Sequence, residues 1–149
     1  MSEPHDRLKS AFPNLTLERF DITSCKDGRY NCIAWAANDS RRFWWPLPQH
    51  TSRYWPPGVP RSETVESFLA AFESIGYSRC RSSEFESGFV KVALYLDTSG
   101  KPTHMARQLG DGTWTSKLGP DVDICHETLA GVEGYHYGSA AIYMKRAER

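Results

Sequence analysis

Between residues 62 and 77, "SETVESFLAAFESIGY", the apolar positions Val65, Phe68, Leu69, Phe72 and Ile75 recur at steps of three and four. That spacing gathers them on one face and predicts a helix packed on a core. Ser62 is placed to cap it, Glu63 and Glu66 favour its positive end, and Gly76 can stop it. After "SRCRSSEFESG" the period falls to two: Val90, Val92, Leu94 and Leu96 share one face of a strand. "DTSGKP" turns the chain, "THMARQL" and "TWTSKL" predict two more strands around a tight "GDG" turn, and "GSAAIYMKR" predicts a last one. "VDICHETLAGVEG" reads as a short helix or a loop, and residues 1–20 as a polar lead-in ending in the weakly amphipathic "LTLERF". Helices first and an antiparallel sheet after them make an α+β fold, with residues 1–149 forming one domain.

Two stretches fall outside this pattern. "RRFWWPLPQHTSRYWPPGVPR", residues 41–61, carries prolines at 46, 48, 56, 57 and 60, which forbid a long regular element. Its indoles are too large to stand exposed in such number without a purpose. "DGRYNCIAWAAND", residues 27–39, holds an Asp-Gly turn signal and then a short helix, with Asn31 as the cap and Cys32 at the first helical position.

Composition narrows the classes. A chain of 149 residues with 40% hydrophobic and 24% charged residues suits one globular domain with a continuous core. Eighteen basic and eighteen acidic residues cancel, so no general attraction to nucleic acid or anionic membrane is expected, although Arg53, Tyr54 and Trp55 are a mixture able to stack bases. The longest apolar runs are far shorter than a membrane span. "MSEPHDRLKSAF" lacks the apolar core of a secretory signal, so the chain is expected to be cytoplasmic unless a non-classical route exports it. Cysteines at 25, 32, 80 and 125 are too few for a disulfide scaffold, and no pair has the spacing of a structural zinc site. No metal or other cofactor is expected.

Cys32 is the residue that this background leaves with chemistry to do. A helix start favours a thiolate through its partial positive charge and free N–H groups. There the Cys32 amide and the Tyr30 hydroxyl could together hold an oxyanion. A base must then reach the sulfur. His5 is in the lead-in, His50 in the proline loop, and His126 and His136 in irregular sequence, whereas His104 sits in a convincing strand. Turn geometry decides what orients its ring. If Asp111 and Gly112 alone form the loop, His104 shares a face with Thr115 and Lys117. If Gly110, Asp111 and Gly112 form it, Leu109 faces Thr113, and His104 shares a face with Trp114 and Ser116. A final glycine in the left-handed conformation suits the longer loop. That choice makes Ser116 the orienting group, polar but uncharged, and Trp114 a wall.

The order of a helix-borne cysteine, a strand histidine and a polar residue on the adjoining strand resembles the papain-like superfamily, most closely its compact NlpC/P60-type branch. In that branch the histidine strand runs into a G-x-G hairpin and the third polar residue follows twelve positions after the histidine. Here "HMARQLGDGTWTS" puts Ser116 twelve positions after His104, and "YNC" supplies the tyrosine that often precedes the cysteine. The resemblance covers roughly Cys25 to Lys117 and the last strand. It departs at "NCIAWAA", where the branch has an Asp-Cys-Ser-Gly type start, at Ser116, and at the tryptophan-rich loop. It implies N-terminal helices packed on a C-terminal sheet and attack of a thiolate on an amide, ester or thioester carbonyl of a peptide or acyl substrate.

Two functions follow. The first is a thiol hydrolase with Cys32 as nucleophile, His104 as base, Ser116 as orienting residue, Tyr30 at the oxyanion, and Trp44, Trp45, Tyr54, Trp55 and Trp114 against the substrate. The second is a catalytically silent module of the same fold, whose aromatic loop grips a peptide or hydrophobic ligand. The first requires a sulfur and an imidazole 72 positions apart to meet, and an activated Cys32 would be alkylated near pH 6 before the other three cysteines.

Overall fold

A computed structural model describes residues 3–46, 53–119 and 121–148; Pro48 and His50 of the proline loop lie outside the described residues. The lead-in is more ordered than its polarity suggested. It forms helix α1 (Glu3–Ala11) and a 3-10 turn (Pro13–Leu17), because Leu8, Phe12 and Leu15 point inward and are buried. Helix α2 (Cys32–Ala36) is a single short turn capped by Asn31, whose side chain accepts from the Ala34 amide. Helix α3 (Val65–Glu73) is capped by Thr64 rather than Ser62, and Gly76 follows it at a φ of +99°. The preference for Thr64 has a plain cause: its hydroxyl reaches the Ser67 amide, while Ser62 bonds to the hydroxyls of Thr64 and Ser67.

Seven strands make one antiparallel sheet: β1 (Phe20–Ile22), β2 (Ser78–Cys80), β3 (Phe89–Leu96), β4 (Pro102–Gln108), β5 (Trp114–Lys117), β6 (Asp123–His126) and β7 (Ser139–Ala147), in the order β1-β6-β5-β4-β3-β7-β2. The fold is therefore α+β. "VDICH" forms β6 rather than a short helix or loop, pairing with both β5 and β1, and a 3-10 turn (Leu129–Val132) follows it. The Gly110–Gly112 turn is the three-residue loop: the Leu109 amide donates to the Thr113 carbonyl at 2.7 Å, and Gly112 takes a φ of +89°.

Register assigns every strand residue to a face. Val92, Leu94, Met105 and Met144 meet α2 and α3 in one core layer. Ala93, Tyr95, Ala106, Trp114 and Ile124 meet α1 and both 3-10 turns in the other. The helices thus cover both faces of the sheet, not one.

Among the described residues of the tryptophan-rich loop, Trp44, Trp45, Tyr54, Trp55 and Val59 pack in the first layer. Trp44 and Trp55 are buried, and Trp55 stands edge-on to Phe68 of α3 at 5.1 Å. Trp44 packs against Tyr54 and Phe72. Each indole N–H finds an acceptor: Asp39 for Trp44, Glu63 for Trp45 and the Pro60 carbonyl for Trp55. Trp44 and Trp55 are consequently core residues rather than a substrate wall, with the partly buried Tyr54 packed against them, and Trp114 is buried in the opposite layer. The purpose inferred for these indoles is packing. Replacing Trp55 by alanine should cost about 3–5 kcal/mol in urea unfolding; a loss below about 1 kcal/mol would return the loop to the surface.

Candidate functional site

Asn31 makes the start of α2 rigid. Its Oδ1 accepts from the Ala34 amide at 3.2 Å and from the Trp44 amide at 3.0 Å, while its Nδ2 donates to the Trp44 carbonyl at 2.8 Å. One side chain therefore caps the helix and pins the loop beside it. Cys32 follows, 6% exposed, on the floor of a groove of about 360 Å³ walled by Phe43, Trp45, Arg53, Thr103 and Tyr137. Of the aromatic residues expected to face substrate, only Trp45 lines this groove; Phe43 and Tyr137 take the other places. A larger cleft of about 920 Å³, beside Arg41, Arg42 and Arg146, contains neither cysteine nor histidine, so the smaller groove is the candidate site.

Burial pushes the Cys32 thiol up to about 11, against the backbone amides of Met105, Ile33 and Cys32 itself and the Lys117 ammonium, all of which favour the thiolate. The helix start is thus outweighed by desolvation, and the thiol is neutral at rest. Alkylation near pH 6 ahead of the other cysteines does not follow from this environment.

His104 and Ser116 come together as the longer loop requires: Nε2 lies 3.0 Å from Ser116 Oγ. The ring is fully buried, stacked on Tyr137 at 4.0 Å and 7° and edge-on to Tyr95 at 5.0 Å. Burial, with a smaller contribution from His126, holds His104 well below the usual histidine range. Its Nδ1 is buried without a hydrogen-bond partner.

The thiol and the imidazole leave opposite faces of the sheet. His104 pairs with Tyr95, which packs in the layer away from α2, whereas Cys32 packs in the layer of Met105. Between them, β4 and β5 are paired over only part of their length. Pairing of β4 with β5 covers Arg107↔Thr115 and Gln108↔Trp114. Because the Leu109 amide bonds to Thr113, alternation points the amides of Arg107 and Met105 the same way, toward β5. The Met105 amide lies past the end of that pairing and is one of the groups that favour the Cys32 thiolate. Beyond it β5 turns away, with the Gly119 amide bonded to the Lys117 carbonyl.

Tyr30 is not placed as expected. Its hydroxyl donates to Asp123 Oδ2 at 2.7 Å; the exposed Thr23 and Ser24 hydroxyls donate to the same carboxylate, and the Lys117 ammonium lies over the Tyr30 ring. That proton is committed to a carboxylate rather than offered to an oxyanion. The sequence points to no role for Lys117 beyond the shorter-loop alternative, and it places His126 in irregular sequence. Ser116 Oγ lies 2.8 Å from His126 Nε2, and His126 Nδ1 lies 2.8 Å from the Thr128 carbonyl. The alternation of Val122, Ile124 and His126 with Asp123 and Cys125 was the available signal for a strand there.

A family model described as a domain of unknown function (DUF7689) matches residues 21–145. The chain belongs to this family. The DUF7689 match begins inside β1 and ends inside β7, so Cys32, His104, Ser116 and His126 all lie within it. No curated protein and no solved structure matches the chain. Among the described residues, no helix is long and apolar enough to cross a membrane.

Two pH dependences follow. His104 and His126 are both held below their usual range, chiefly by burial. Unfolded, each titrates near about 6.5, so below that pH the unfolded chain takes up protons that the folded chain does not. Stability is unaffected by these groups above about pH 6.5 and should fall by roughly 1–3 kcal/mol between pH 6.5 and 5 in urea titrations. A flat profile would mean that the folded rings titrate as in water. For the thiols, mass-spectrometric mapping with iodoacetamide near neutral pH should find the exposed Cys25 labelled before Cys32, whose rate should climb until about pH 11.

Proposed function

We propose that this DUF7689 chain is a papain-like thiol hydrolase or acyltransferase acting on an amide, ester or thioester in the groove above Cys32. The observation that carries the reading is the sulfur's setting. It lies on the floor of an apolar groove, where the backbone amides of Met105, Ile33 and Cys32 favour its thiolate form. One of those amides belongs to the residue after a histidine whose Nδ1 has no partner. Aromatic and apolar groove walls suit a hydrophobic acyl or peptide side chain, and Arg53 and Thr103 add polar contacts at the rim.

In the proposed reaction the Cys32 thiol gives its proton to His104 Nδ1 between β4 and β5, beyond the end of their pairing. The sulfur forms a bond to the carbonyl carbon, and the carbonyl electron pair moves onto oxygen. Collapse expels the amine, alcohol or thiol, which takes the proton back from Nδ1 and leaves an acyl group on Cys32. Water or a second nucleophile then removes that group, with His104 accepting its proton. A neutral resting pair makes the thiolate during the attack rather than before it.

The opposite faces of thiol and imidazole favour a second reading, a groove that binds a hydrophobic or peptide ligand without turnover. One experiment separates the two. Incubation with an activated acyl ester and intact-mass analysis should show an acyl group on Cys32, lost in Cys32→Ala and formed about 10²–10⁴-fold more slowly in His104→Ala. Binding of the probe with no covalent adduct, or an adduct on Cys32 indifferent to His104→Ala, would replace the hydrolase with the binding module.

A further inference from the structure

The hydrogen bonds behind His104 can be followed proton by proton. A carbonyl oxygen has no hydrogen to give, so at 2.8 Å from the Thr128 carbonyl the His126 Nδ1 is the donor. Burial keeps His126 neutral at pH 7, and a neutral ring carries one hydrogen. His126 Nε2 is therefore a bare acceptor. Ser116 Oγ, 2.8 Å away, supplies its single hydrogen to that nitrogen. Toward His104 the same oxygen has only a lone pair left. His104 Nε2, at 3.0 Å, must then carry the hydrogen, and the lone pair of the neutral ring falls on Nδ1.

We propose that the Thr128 carbonyl, acting through His126 and Ser116, fixes His104 in the Nε2–H form, so that its buried Nδ1 is held ready as a proton acceptor; His126 is a positioning residue. The chain is anchored outside the sheet. The Glu18 carboxylate accepts from the Glu127 amide at 2.6 Å, the Thr128 amide at 3.0 Å and the Thr128 hydroxyl, which holds the carbonyl end in place. At the other end, the Tyr137 stack and the Tyr95 edge keep the His104 ring from turning over. A serine between two imidazoles thus replaces the charged partner that such a ring would otherwise use. It contributes direction in place of charge.

The inference rests on the proposed role of His104 only for its use, not for the proton arrangement itself, and the test separates them. Long-range ¹H–¹⁵N correlation of histidine-labelled protein near pH 7.5 should show His104 solely as the Nε2–H form and His126 solely as the Nδ1–H form, where free imidazole shows a mixture. His126→Phe removes the acceptor, frees the Ser116 hydrogen for His104 Nε2, and should move His104 toward the Nδ1–H form. Acylation of Cys32 should then fall at least tenfold while the fold, read by amide shifts away from the sheet end, is unchanged. His104 found as the Nδ1–H form or as a mixture in the unaltered protein, or unmoved by His126→Phe, would overturn the inference. If that variant does not fold, the spectrum of the unaltered protein decides alone. The expected spectra with acylation indifferent to His104→Ala would leave the relay standing and remove the hydrolase.

Discussion

The site depends on one interruption in the backbone hydrogen bonding of a seven-stranded sheet. The β4–β5 ladder ends at Arg107↔Thr115, although β5 stays paired with β6 as far as Lys117, and the Met105 amide is left outside the ladder. A buried N–H without a partner costs about 1–3 kcal/mol, so the nearby Cys32 sulfur matters to the sheet as well as to the groove. That gives Cys32 a structural task at the same point where it meets the groove.

Desolvation governs the electrostatics around the end of that ladder. It raises the thiol, lowers His126 and lowers Lys117, each against neighbours that favour the charged form, and it lowers His104 together with the neighbouring His126. The result is a set of neutral hydrogen-bonding groups on the His104 face. On the α2 face it is a compact polar group, in which Asp123 receives Tyr30, Thr23 and Ser24 and the Lys117 ammonium caps the Tyr30 ring. Two polar networks therefore back onto the same short strand, β5, from its two sides.

How much of this was legible in the sequence follows from how local each signal is. Period two in residues 90–96 and the glycine at 112 made the central hairpin readable, and with it the pairing of His104 with Ser116. Asn31 was readable as a cap because the acceptor and the amide it serves are three residues apart. The α1 segment was missed because its three inward residues are thinly spread among polar ones. β6 was missed because Asp123 and His126 are polar yet buried, so polarity there does not mark an exposed face. The tryptophans were misassigned because size alone does not say whether an indole faces solvent or α3. The opposite faces of Cys32 and His104 were beyond reach, since they depend on which side of the sheet each helix occupies. No residue near either position encodes that.

Gly138 closes the account of how the imidazole is covered. The bridge between Gly134 and Gly138 holds Tyr137 at its tip, and the Thr103 hydroxyl donates to the Tyr137 carbonyl. At position 138 a methyl group would lie 2.0 Å from the Leu96 carbonyl oxygen, and the backbone φ is +72°. Any side chain there must lift the bridge off β3 and take the phenol ring with it, admitting water to the imidazole. One hydrogen atom where every other amino acid has a carbon is thus what keeps that ring dry, and its chemistry can be altered from a position that never touches it.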